Sequence, residues 1–251
     1  MILQAIRKHN PLIHCITNYV VANFKANGLL AIGASPVMAD EVNEVEEMVT
    51  LASALVLNIG TLNNRTKKAM LLAGKKANAL CIPVVLDPVG VGATAYRKEA
   101  ILAILNEVKV DVIRCNIGEL AAIANVDWQQ KGVDSGRGEI SLSAEAKKIA
   151  LRYKCTVIVT GEQDLITDGE QLNWIKGGNE KMTEITGTGC LLSAICAAAY
   201  VSGDAPFTQL IDVLKSYKKI AENAITSSNA IGDFQIAVLN ELHHLSTREV
   251  N

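Results

Sequence analysis

The feature that most restricts the fold of this chain is a repeated switch from short β-branched runs to helical stretches. Leu12–Thr17 precedes a helical pattern over Tyr19–Ala31, and Ala54–Ile59 ends in Gly60 before a basic amphipathic helix over Arg65–Ala79. Pro83–Leu86 runs into Asp87-Pro88-Val89-Gly90, and Val110–Cys115 ends at Asn116 and leads into a helix near Glu119. Cys155–Thr160 follows a helix whose cap is assigned to Ser143. Strands alternating with helices of about 10–15 residues specify βαβ units and a parallel sheet. Two later runs, Leu165–Thr167 and Leu172–Ile175, are joined by Asp168-Gly169, a hairpin signal, so the sheet is expected to end in an antiparallel edge. After Gly189 the chain reads as helix, with breaks near Ser202-Gly203-Asp204 and Ile231-Gly232-Asp233. Gln129–Gly138 is polar and reads as a mobile surface loop. The 251 residues contain no repeat and no low-complexity linker, so one three-layer α/β/α domain over residues 1–251 is expected.

Composition supports this class. Hydrophobic residues make up 49% of the chain and aromatics only 4%, so the core must be Ala, Val, Ile and Leu, the filling of a parallel sheet covered by helices. A net charge of −2 with interspersed signs offers no basic patch for a nucleic-acid backbone. The six cysteines form no CxxC pair and no zinc spacing with the four histidines. Cys81 and Cys155 flank apolar runs and read as small core residues, and the cysteine pattern suits a reducing cytosol. The first fifteen residues lack signal-peptide architecture, and the apolar stretch Leu191–Val201 is too short to span a bilayer. A cytoplasmic protein is expected.

Polar residues gather where the strands end. Asp87 closes one strand, Asn116 another and Thr160-Gly161-Glu162 a third. In open α/β sheets ligands bind outside the carboxyl ends of strands. Singly, each of these residues is ordinary turn chemistry; together they describe a site. The sharpest signal is Thr186-Gly187-Thr188-Gly189-Cys190, followed at once by an apolar helix. Glycines let backbone approach a ligand, and a helix start offers unpaired N–H groups to an anion. This is not a dinucleotide fingerprint, because the third glycine would fall at Leu192, nor a Walker A loop, because no Gly-Lys-Ser/Thr follows. A dinucleotide oxidoreductase would also need a glycine fingerprint after the first strand, which ends instead in Thr17-Asn18.

A late Gly-x-Gly loop opening a helix, with Asn116-Ile117-Gly118-Glu119 upstream, resembles the ribokinase-like superfamily. Most members end the loop in Asp as general base; Cys190 in that place resembles the hydroxyethylthiazole kinase branch. Further segments match that branch from about residue 10 to 245: Ile16-Thr17-Asn18-Tyr19-Val20-Val21, Asn27–Ala31, Gly33–Met38, Leu57–Leu62, Leu86–Gly90 and Val159–Glu162. The resemblance implies ATP-dependent phosphorylation of the hydroxyl of hydroxyethylthiazole, with Mg²⁺, in a homotrimer with its thiazole sites at subunit interfaces. It puts Asn18, Met38 and Gly187 at the thiazole, and Arg114, Asn116 and Thr160 at ATP. Asp87 and Glu119 are the Mg²⁺ handlers it implies, partly through water. Where the branch reads Arg-Gly-Asn, this chain has Arg114-Cys115-Asn116, which leaves the contact of Arg114 open. Gly187, Thr188, Gly189 and Cys190 form the expected anion hole. Cys190 is either the general base, its thiol acidified by the helix start, or a small residue that fits the loop. A hydroxymethylpyrimidine kinase and a non-catalytic thiazole-binding protein are the alternatives; the Asn18 and Met38 segments and the retained Asp87 and Glu119 argue against them.

Overall fold

A computed structural model describes residues 1–126, 142–227 and 230–248. The expected loop 129–138 lies outside the described residues. The strands are β1 (Leu12–Ile16), β2 (Ser35–Val37), β3 (Ala54–Asn58), β4 (Val84–Asp87), β5 (Val112–Asn116), β6 (Thr156–Thr160), β7 (Asp164–Thr167) and β8 (Leu172–Ile175). They form one eight-stranded sheet in the order β2-β1-β3-β4-β5-β6-β7-β8. Pairing is parallel from β2 through β6, and β7 and β8 are antiparallel, as the Asp168-Gly169 hairpin required. Gly169 takes φ 102°, a conformation L side chains avoid.

Helices cover both faces. α1 (Ile2–His9), α2 (Ala22–Ala31), α8 (Thr188–Tyr200), α9 (Pro206–Ser227) and α10 (Ile231–Thr247) pack on one side. α3 (Val45–Leu51), α4 (Asn64–Ala79), α5 (Ala95–Glu107), α6 (Ile117–Ala124) and α7 (Leu142–Tyr153) pack on the other. Strand alternation divides the core between them: Ala54 and Val56 point to the α8 side, Leu55 and Leu57 to the α4 side. Residues Leu191 through Ala199 are all buried, so α8 is covered all round, and it runs through the middle of its layer against α1, α2, α9, β1, β3 and β4. This three-layer arrangement is the one the sequence pattern specifies.

Four local expectations need correction. Helix α2 starts at Ala22 rather than Tyr19, because Asn18 accepts from the Val21 N–H at 3.2 Å and holds residues 18–21 in a turn. Ser143 lies inside α7, whose described part begins at Leu142, so it is not the cap. Cys81 is exposed, with φ 57° just past the end of α4, whereas Cys155 is buried as expected. Gly232 lies within α10, so the last break precedes Ile231. The short strand β2 was not anticipated; Pro36 disguises it, and proline is tolerated there because β2 is an edge.

Candidate active site

The parity of the strands builds the site. Asn58, Asp87, Arg114 and Thr160 stand two residues beyond Val56, Val85, Val112 and Ile158, all of which face the layer of α8. Register pairs Asn58 with Asp87, and Asn116 with Thr160. Four adjacent strands therefore deliver polar side chains to one face, under the start of α8, with Thr160 two residues beyond the register partner of Arg114.

There they join into a continuous chain of contacts. Asn18 Nδ2 lies 3.7 Å from Cys190 Sγ and donates to Asn58 Oδ1 at 2.8 Å. Asn58 Nδ2 donates to Asp87 Oδ2 at 2.7 Å, and the same oxygen accepts from Ser193 Oγ at 2.9 Å. Arg114 Nη1 stands 3.7 Å from Asp87 Oδ1, and Arg114 Nη2 donates to Thr160 Oγ1 at 2.5 Å. Asp87 is fully buried, and its Oδ1 accepts no hydrogen bond. A buried carboxylate oxygen without a donor is costly, and the guanidinium beside it offsets only part of that cost. Burial works against the charge of Arg114, but Asp87 and Glu119 outweigh it and keep the guanidinium firmly protonated.

The loop at the start of α8 closes over this chain. Gly187 has φ 95°, and a Cβ there would stand 2.7 Å from Val21 Cγ1. At Gly189 a Cβ would meet Arg114 Nη1 at 2.6 Å. The missing side chain is thus what lets the guanidinium lie against the helix start. Thr188 anchors the loop: its hydroxyl donates to Met182 O at 2.9 Å, and its carbonyl accepts from Tyr217 Oη at 2.7 Å. Cys190 sits in a less acidifying place than a helix start suggests. Burial, then Asp87, push its thiol above the ordinary value, against the opposing pull of Lys25, Asn58 and Arg114. At neutral pH it is a thiol.

Glu119 is held by backbone. Its Oε2 accepts from the Asn116 N–H and its Oε1 from the Gly90 N–H, each at 2.9 Å. The Asn116 side chain caps α6 by accepting from the Glu119 N–H at 2.8 Å, so Asn116 orients Glu119 and its carboxamide oxygen is occupied. Burial and the nearness of Asp87 raise the Glu119 pKa, with both backbone bonds acting the other way. Cys115 leaves the strand undisturbed: β5 keeps regular register with β6, and the thiol points away to the α4 side. The structure brings together Asn18, Asp87, Arg114, Thr160, Glu119 and Gly187–Cys190. Met38 follows β2 and is half-buried against the α8-side core, one strand further out than Asn18.

Some participants were not singled out in the sequence. Asn58 and Ser193 both grip Asp87, and a polar residue closing the apolar run ALVLN was the available signal for Asn58. Lys25 is fully buried in α2, with its ammonium donating to Thr17 Oγ1 at 2.8 Å. Nothing in its helical surroundings marks it as internal.

The model of the hydroxyethylthiazole kinase family matches residues 3–248. A hydroxyethylthiazole kinase of Lysinibacillus sphaericus is 67% identical over 246 residues, which cover 98% of this chain and 96% of that one. The solved structure of a hydroxyethylthiazole kinase from Pyrococcus horikoshii is 38% identical and superposes with a TM-score of 0.88, over 97% of this chain and 91% of that one. A ribokinase-like superfamily protein of Enterococcus faecalis, at 11% identity and a TM-score of 0.70 over 96% and 90% of the two chains, shares the fold.

Proposed function

The chain belongs to the hydroxyethylthiazole kinase family, and from that premise we propose how its site transfers a phosphoryl group. It is a kinase that phosphorylates hydroxyethylthiazole, on a ribokinase-like α/β/α fold. ATP is the phosphoryl donor. The carrying observation is the placement of the Arg114 guanidinium directly beneath Gly189, at the start of an apolar helix and beside a carboxylate with a free oxygen.

The substrate hydroxyl attacks the γ-phosphorus in line; the new O–P bond forms as the bond to the bridging oxygen of ADP breaks. Little covalent chemistry falls to the protein, so positioning and charge dominate. The N–H groups at Gly187–Cys190 and the Arg114 guanidinium meet the charge on the transferred group. Asn18 and Met38 orient the thiazole, and Thr160 fixes Arg114 toward the nucleotide. Cys190 enters the cycle as a thiol, so the hydroxyl proton passes late, to an oxygen of the phosphoryl group it has just bonded, unless substrate binding converts Cys190 to a thiolate that accepts it.

The donor set fits Mg²⁺. Asp87 Oδ1 is buried and free to ligate, while both Glu119 oxygens already accept a backbone N–H and suit contact through water. Among the described residues no three His, Cys, Asp or Glu side chains form a cage. Mg²⁺ keeps several waters and takes one or two carboxylates plus substrate phosphates. When bound, Mg²⁺ would neutralise charge on the phosphates.

Residues 1–251 act as a single kinase domain in the cytoplasm, the compartment that the cysteine pattern suits. The subunits form a homotrimer. Tyr19 and Val20, 82% and 59% exposed beside Asn18, are the surface a neighbouring subunit would cover. The deciding experiment is ADP release on mixing the protein with MgATP and hydroxyethylthiazole. No ADP above background from folded protein would overturn the assignment, and light scattering that gives a monomer would overturn the trimer.

A further inference from the structure

Arg97, on the first turn of α5, has no part in the scheme above. It lies outside the polar chain, yet its surroundings are unusual. Its Nη1 donates to the carbonyls of Ile59 at 2.8 Å and Val89 at 2.7 Å, and its Nη2 donates to the carbonyl of Gly60 at 2.7 Å. Among the described residues no carboxylate stands within ion-pair distance of it. The cation is met by three carbonyl dipoles instead. Nη1 alone bridges the two loops and Nη2 adds Gly60, so one rigid plane fixes all three carbonyls; an ammonium also has three donors but carries them as a point charge on a flexible stem.

Those two loops follow β3 and β4, and each holds one half of the site. The Gly60 N–H donates to Asn58 Oδ1 at 3.0 Å, and Gly60 lies so close to Asn18 that a Cβ would stand 2.6 Å from Asn18 Nδ2. The Gly90 N–H donates to Glu119 Oε1. Gly90 has φ 65° and faces Arg97 Nη1, with a Cβ position 3.6 Å away. The acceptor half, Asn18 and Asn58, hangs on the first loop. The phosphate half, Asp87 and Glu119, flanks the second.

We propose that Arg97 is a positioning residue for phosphoryl transfer, which sets the spacing between the loops 59–62 and 88–92 and thereby aligns the Asn18–Asn58 pair with the Asp87–Glu119 pair. The proposal rests on the kinase reading of this site. Arg97 touches no reacting atom. It acts through the carbonyls of one peptide edge, while the N–H groups of neighbouring peptides hold the site's side chains.

The test compares Arg97→Lys and Arg97→Met with the unaltered protein. Two quantities are read: kcat with saturating MgATP and hydroxyethylthiazole, and amide hydrogen exchange at Gly60 and Gly90 in protein without ligands. The expected result is a fall in kcat of about tenfold or more in both variants, with a change in the KM for hydroxyethylthiazole under threefold. Exchange at both glycines should speed up by at least a similar factor, while the amides of Leu55–Leu57 in β3 keep their rates. Lysine should not substitute for arginine. The proposal is overturned if Arg97→Lys keeps the original kcat, if kcat falls with the Gly60 and Gly90 amides unchanged, or if exchange quickens throughout β3. Should Arg97→Met fail to fold, Arg97→Lys carries the comparison alone. Failure of the unaltered protein to release ADP would count against the kinase reading, and the exchange measurement would still report on the clamp.

Discussion

Replacing Gly189 by alanine isolates the contact between the helix start and Arg114. Gly189 lies in the first turn of α8, and its φ is outside the left-handed region, so alanine brings no backbone strain. Its Cβ would stand 2.6 Å from Arg114 Nη1, 2.7 Å from Nη2 and 2.9 Å from Cζ. Ordinary contact begins near 3.4 Å, so the guanidinium must retreat by about 0.8 Å. It has little room, being only 9% exposed, with Asp87 on one side and Thr160 on the other. A shift of that size breaks the 2.5 Å bond to Thr160 or pulls the cation from the phosphoryl position. A hydrogen bond to a charged group contributes about 1.5–3 kcal/mol. At about 1.4 kcal/mol per tenfold, Gly189→Ala should lower kcat/KM by roughly 10- to 150-fold. Alanine favours helix over glycine by about 1 kcal/mol, so the thermal midpoint should not fall for reasons of backbone. The assay is ADP release over a range of hydroxyethylthiazole concentrations, for Gly189→Ala, Arg114→Ala and the double variant. Both single changes act on one group, so the double variant should be little worse than Arg114→Ala. A kcat/KM within threefold of the original for Gly189→Ala, or losses that add in the double variant, would refute the reasoning.

Three other outcomes follow from the same geometry. Asp87→Asn removes the charge facing Arg114 and the free oxygen, and should lower kcat by about 10²–10³ while circular dichroism stays native; a smaller loss would remove Asp87 from the transfer step. Cys190 should react slowly with iodoacetamide at pH 7, because burial raises its thiol and the thiolate is the nucleophile; Lys25→Met should slow it further, and an unchanged alkylation rate would show that the Lys25 charge is not felt there. His14 is buried, with Nε2 against the carbonyl of Ala39 at 2.7 Å and Nδ1 unpartnered, and burial lowers its pKa from 6.5. The unfolded chain then binds the proton more readily, so this group's contribution is full above about pH 6.5 and declines as pH falls toward the lowered native value. Urea midpoints should show that decline between pH 7 and 5, and His14→Gln should flatten it; equal slopes in the two proteins would exclude His14 as the source.

Much of this was legible in the chain, and the reason is periodicity. Asp87, Asn116 and Thr160 were found because each ends an apolar β-branched run, and strand ends are where a parallel sheet places ligands. The antiparallel edge was legible because Asp168-Gly169 specifies its own turn. What escaped is what depends on contacts distant in sequence. Ser193 reads as one small residue in an apolar helix, and only the approach of α8 to β4 gives it Asp87 as a partner. Lys25 gains its partner Thr17 only when α2 folds back over the end of β1. The acidity of Cys190 runs against the helix-start argument, because burial and Asp87, brought to it by the fold, outweigh Lys25, Asn58 and Arg114. Short elements such as β2 escaped because three residues with a proline carry no period.

Because Asn58, Asp87, Arg114 and Thr160 come from four neighbouring strands and share a face only by alternation, the site doubles as a gauge of alignment. Slide β4 by one residue and Asp87 turns toward α4 while Leu86 enters its place. A collapsed chain with the right strand content and one wrong pairing would look folded by its secondary structure and transfer no phosphate. In a refolding experiment the return of turnover would therefore time the last strand locking into place, an event that circular dichroism passes over.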